Sequence, residues 1–306
     1  MLAILKIINL HFWKSFFGPF FAFVFPLIFV ALLGSLLGYD QLFGGSMAIA
    51  SMSIALTAMP QAIFEFKRSA LLKRIGVTPI KPWMFLAVSA GFYFVVMIVS
   101  SFWTLAVGIG IFSQYMNEGK EIMEANPAQG AFLSASLGQT LANVNWAGFL
   151  WGLIMNIFVG ISLGFVLVST SKSTLAIQGL GIPILILCQF LSAQVLPLPM
   201  IINVEFMKWI SYLSPFRYST GLMIESFTGI MEQPVFGGPE VVTQIEIIGS
   251  ANIFDINTPF EMIKYKGTTL VTMFDKTDKV LNLIMPIVFT GIFTGIAVKT
   301  FKWSAR

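Results

Sequence analysis

The chain has 306 residues, is 57% hydrophobic and only 10% charged, and carries a formal net charge of +4. Soluble domains are typically about 25% charged, so this composition leaves no room for a soluble catalytic domain. One cysteine (Cys188) and one histidine (His11) exclude a disulfide framework and a multi-histidine metal site.

Residues 1–17 are apolar with scattered lysines, which predicts a helix lying in a membrane interface, the start of a longer tilted first span being the other reading. There Lys6 and Lys14 snorkel to phosphates while Phe12, Trp13 and Phe16 stay at headgroup depth. Six stretches then follow that are long enough to cross a bilayer, at 16–37, 44–64, 83–112, 146–168, 174–195 and 280–298, and none contains Asp, Glu, Lys or Arg. Backbone groups in lipid are satisfied within helices, so the fold class is an all-α polytopic membrane protein read as a single transmembrane domain. The first span is too long and too late for a cleaved signal peptide.

Between spans two and three lies a charged island, residues 65–82, with five of the eighteen basic residues. On a helix, Phe64, Leu71 and Ile75 fall within about 40° of one another and Lys73 points away. Gly76 is a natural stop, and Thr78 with Pro79 can begin the next helix. Residues 65–75 therefore read as a short amphipathic helix along the membrane surface, able to pass a push to two spans; an ordinary basic loop is the other reading.

Residues 113–145 are expected to form an outside loop with Glu118, Glu121 and Glu124. Span four carries Gly148, Gly152, Asn156, Gly160 and Gly164, a small or polar residue at every fourth position, which predicts close helix packing. Gly34/Gly38 and Gly291/Gly295 repeat the pattern. After span five, Pro197 and Pro199 mark the helix end. Two apolar stretches broken at Ser214-Pro215 then predict a re-entrant hairpin over 196–229, a pair of helices lying flat on the outer surface being the other reading. Its charges Arg217 and Glu225 are read as interfacial anchors. Residues 230–279, with alternation in Val242-Thr243-Gln244-Ile245-Glu246-Ile247, are read as a small external insertion.

Six spans put both ends on the side of the island, where eleven cations face Glu65 alone; the other side has seven cations and thirteen acids. Basic excess marks the cytoplasm, and the net charge then reports topology rather than a nucleic-acid partner.

The pattern Glu65, Lys67-Arg68, Leu71-Leu72-Lys73-Arg74-Ile75 and Thr78-Pro79 after a second span resembles the coupling region of ABC-2 type permeases, the membrane subunits of type V ABC exporters. Ser214-Pro215-Phe216-Arg217-Tyr218 is similar to that family's proline-containing outer hairpin. The amphipathic start and six-span layout agree. The resemblance implies a dimer of permeases, same or homologous, each engaging a separate ATPase subunit, two copies in all. Glu65, Lys67, Arg68, Leu71, Leu72, Lys73 and Arg74 would be the docking residues, and Pro215, Arg217, Tyr218 and Glu225 the hairpin set. The roughly fifty residues of 230–279 depart from the family's usually short connection. No G-x-x-x-x-G-K-[ST] loop is present, so this chain is expected to bind no cofactor, with ATP and Mg on the partner. The uncharged spans suit a lipid, drug or peptide substrate. An ion-coupled transporter would need intramembrane ionisable groups and repeats, and a membrane enzyme would need paired acids or a metal site; a membrane anchor fits composition alone.

Overall fold

A computed structural model covers the whole chain and describes residues 2–33, 39–68, 82–125, 144–196, 201, 204–228 and 276–301. Those residues form helices and no strand. Helix α1 (Leu2–Lys14) meets α2 (Phe17–Leu33) at 81°. Ser15 makes this bend: its hydroxyl accepts from the Gly18 N–H at 3.1 Å and donates to the Phe12 carbonyl at 3.4 Å. Gly18 is required there, because a Cβ would sit 2.6 Å from the Phe12 carbonyl oxygen. Phe12, expected at headgroup depth, is instead a core residue packed edge-on to Phe92 and Tyr93, while Trp13 and Phe16 remain exposed. The bend turns one face of α1 onto the bundle.

Helix α3 runs through Tyr39–Ser53, a π-helical turn Ile54–Ala58, and Met59–Arg68. It is the central element, and every residue from 43 to 60 is buried. Its small side chains allow this. Ser46 and Ser51 bond back to their own helix, while Ser53 donates to the Phe21 carbonyl of α2 at 2.7 Å. Phe21 and Ala22 lie in the π-turn Phe20–Val24 of α2, and the Ala22 carbonyl accepts from Ser100. Ser101 donates to the Met47 carbonyl at 2.9 Å. Hydroxyls thus tie three helices together where lipid offers no hydrophobic drive to association.

Helix α4 (Pro82–Ala125) has 44 residues, about 66 Å at 1.5 Å per residue. That is twice a hydrocarbon core of about 30 Å, so the expected loop at 113–145 begins as helix. Gln, Met, Glu, Lys and Ala carry the helix through 113–125, and no proline intervenes before Pro127. Helix α5 (Trp146–Thr170) starts at Asn145, whose side chain accepts from the Gly148 N–H. Ser173 caps α6 (Thr174–Leu191) in the same way through Ala176.

Helix α6 stops four residues short of the expected end at 195, and prolines are not the cause. Ala193 adopts φ 60° and the Gln194 N–H bonds the Gln189 carbonyl at 3.2 Å, a Schellman ending with Ala where glycine is usual. Two short helices follow, α7 (Glu205–Ser211) and α8 (Arg217–Thr228), and then α9 (Lys276–Thr300). The first turn of α9 falls inside the stretch read as an insertion, of which 230–275 lie outside the described residues. Helix α5 packs chiefly on α9, α8 and α3, and α8 also lies on α3. The outer face of α9 is left apolar and exposed, through Leu283, Ile284, Ile287 and Val288.

Candidate functional site

The last turns of α3 carry the start of the charged island. Of the surface helix expected over 65–75, Glu65–Arg68 continue α3 without a break, and residues 69–75 lie outside the described residues. Leu71, Leu72, Lys73 and Arg74 lie outside the described residues. Glu65 faces the protein. Its Oε2 is 3.1 Å from His11 Nε2 of α1, with the two side chains 39% and 28% exposed. Its Oε1 accepts from Gln61 Nε2 at 3.0 Å, and Gln61 Oε1 accepts from Gln178 Nε2 of α6 at 3.1 Å. The His11 ring leans on Phe66 at 4.7 Å. Lys67 is only 8% exposed and holds its ammonium 5.4 Å over the Phe301 ring. One residue earlier, Thr300 donates to Ser169 of α5 at 2.7 Å. Arg68 is exposed.

The second constellation is built around the Ser214-Pro215 break. Gly148 faces Ser226, Gly152 faces the Ser219 carbonyl, and Gly160 faces the Phe216 ring. Helix α8 therefore runs antiparallel to α5, and Phe216 reaches past the midpoint of α5. A Cβ on Gly160 would lie 2.7 Å from Ala55 Cβ, and one on Gly164 would strike Met59 and the Ala55 carbonyl of α3. The four glycines of the stripe thus meet α8 with one half and α3 with the other. Asn156 sits between the halves. It donates to Ser51 at 2.7 Å and accepts from Ser219 at 2.8 Å. Gln194 donates to Thr220 at 3.0 Å and to the Met52 sulfur at 2.8 Å, and Ser192 and Ser214 share a 2.9 Å hydrogen bond.

Arg217 opens α8 only 3% exposed, its guanidinium centre 4.0 Å from the Tyr212 ring centroid and 5.8 Å from that of Tyr218. Arg217, expected as an interfacial anchor, is thus enclosed by the protein itself. Two rings enclose the charge because the turn brings Tyr212 back over it, with Tyr218 Oη donating to the Tyr212 carbonyl at 2.8 Å. Pro215 and Tyr218 are buried and Glu225 is half-buried. Gly291 and Gly295 have nothing within 4 Å of a Cβ position, so they pack against no other helix of the described chain. Gly34 and Gly38 lie outside the described residues.

Sequence reasoning missed Gln61, Gln178 and Gln194. The signal was available: an amide inside or bordering an apolar span needs a partner, and only Asn156 was singled out on that ground. Among the described residues no group of three or more His, Cys, Asp or Glu could hold a metal ion.

The model of the ABC-2 family transporter proteins matches residues 34–299. This chain belongs to that family. No curated protein and no solved structure gave a match. The family is one of ABC transporter membrane subunits, not of the ATPase, and among the described residues five helices, or six if the bent pair α1–α2 counts as one span, are long and apolar enough to cross a membrane. The ABC-2 chain is thus a multi-pass permease, and the sequence resemblance stands.

Proposed function

We propose that this ABC-2 permease is the membrane subunit of an ATP-driven exporter for a hydrophobic or amphipathic substrate, such as a lipid, drug or peptide. Two permeases, identical or homologous, pair in the cytoplasmic membrane, with the island and both ends in the cytoplasm and α1 in the interface. Each engages one of two ATPase subunits that carry ATP and Mg. Arg68 and the island beyond it, with Leu71, Leu72, Lys73 and Arg74, form the docking surface, backed by Glu65 and Lys67. The segment from α7 to α8 dips into the outer leaflet as a re-entrant hairpin, and its break is shielded by α3, α5 and α6 as such a break must be.

The observation that carries this reading is the tethering of the island's first turn to α1, α6 and the end of α9. A loop with no mechanical task has no need of such ties. A push at the island would reach several spans at once, whereas a passive anchor would gain nothing from the linkage. Co-purification from native membranes tests it. The expected result is recovery of a soluble subunit bearing a phosphate-cradling Walker A loop. Repeated recovery of the permease alone, under conditions that preserve known ABC complexes, would defeat the proposal.

A further inference from the structure

The island's first turn makes three attachments, and two of them form one continuous polar chain: His11, Glu65, Gln61, Gln178. Gln61 and Glu65 are one helical turn apart on α3, so they share a face. Each uses both ends of its head group. Glu65 spends one oxygen on α1 and the other on Gln61; Gln61 spends its amide nitrogen on Glu65 and its oxygen on α6. An amide held from both ends has its orientation fixed, and neither neighbour can shift without moving it. The charges of Glu65 and Lys67 face other helices of the same chain, whereas Arg68 is exposed.

We infer that Glu65 and Gln61 are positioning residues that divide the island's motion into two branches, one passing through His11 to α1 and the other through Gln178 to α6. The inference rests on the permease reading and deepens it by naming the side chains that transmit. A side-chain contact as exposed as His11–Glu65 adds little to stability, so its effect is read in movement rather than in melting. The α1 branch reaches the bundle through Phe12, which is packed on Phe92 and Tyr93 of α4. The α6 branch leads along a helix whose far end, Ser192, is bonded to Ser214 at the hairpin turn. A displacement at Gln178 therefore has a route along α6 to the hairpin turn.

The test uses the permease with its co-purified ATPase in lipid nanodiscs, comparing hydrogen exchange of α1 and α6 peptides without nucleotide and after trapping with ATP and vanadate. The unsubstituted complex is expected to change exchange in both segments on trapping. His11→Ala should abolish the change in α1 and leave that in α6; Gln178→Ala should do the reverse. Both variants should capture the ATPase as the parent does, because neither residue lies on the island. His11→Gln, which keeps a donor toward Glu65, should restore the α1 response and so separates lost transmission from lost folding. Both segments responding in both variants, or both falling silent together in each, would overturn the inference. Parent complex that binds the ATPase yet responds in neither segment would do the same. Failure of the parent to capture any ATPase would instead overturn the permease reading beneath it.

Discussion

Ser219 donates its hydroxyl to Asn156 Oδ1 at 2.8 Å, and the same amide donates to Ser51 at 2.7 Å. Helices α3, α5 and α8 therefore meet on one buried side chain. Both serine hydroxyls also donate to a backbone carbonyl, Ser51 to Ala48 at 3.0 Å and Ser219 to Phe216 at 3.2 Å. Removing the amide leaves neither hydroxyl stranded, which limits the cost. Asn156→Leu is expected to destabilise by about 1–2 kcal/mol, and Ser219→Ala by about 0.6 kcal/mol, the range found for hydrogen bonds between membrane helices. Thermal unfolding in detergent measures both. An Asn156→Leu protein as stable as the parent would show that α8 is held by shape alone.

The glycines of α5 and α9 look alike in sequence and differ in surroundings. Gly164 lies against Met59 and the Ala55 backbone, whereas Gly291 faces open space. Backbone cannot yield as a flexible side chain does, so Gly164→Leu is expected to cost about 1–3 kcal/mol by overpacking. Gly291→Leu should leave the melting temperature of the isolated chain unchanged or raised, since leucine is the better helix former. Equal losses at the two positions, measured on matched detergent extracts, would contradict the packing described.

Much of this architecture was legible because lipid restricts the options. A long uncharged stretch there has to be a helix, and the spans at 44–64, 146–168 and 280–298 each lie within a helix of the structure. What escaped was set by contacts between distant residues or by helix propensity outside the bilayer. The length of α4 beyond residue 112 follows from propensity, which an expectation built on hydropathy ignores. The end of α6 is fixed by the backbone of Ala193, an ordinary helix former with no outward sign of a positive φ. Glu65 was legible as a charge at the island's edge; its orientation was not, because His11 lies 54 residues earlier in the chain and Gln178, reached through Gln61, lies 113 residues later. Glycine spacing likewise announces a packing face without saying which helix, if any, will use it, as Gly291 shows.

Arg217 and Tyr212 supply the remaining prediction. The guanidinium lies 4.0 Å from the ring centroid and almost no part of the residue is exposed, so the contact is desolvated, the condition under which a cation–π pair is worth about 2 kcal/mol. Tyr212 is also held from the other side, since its carbonyl accepts from Tyr218; substituting the ring leaves that backbone bond in place. Tyr212→Leu and Arg217→Leu should each destabilise the protein, and the double variant should fall short of their sum by about 1–2 kcal/mol. Arg217→Lys is not a rescue, because an ammonium lacks the flat face that stacks on the ring. Thermal unfolding of the four proteins closes the cycle. Strict additivity would mean that the two residues stabilise the turn independently and that the buried charge is balanced by other groups.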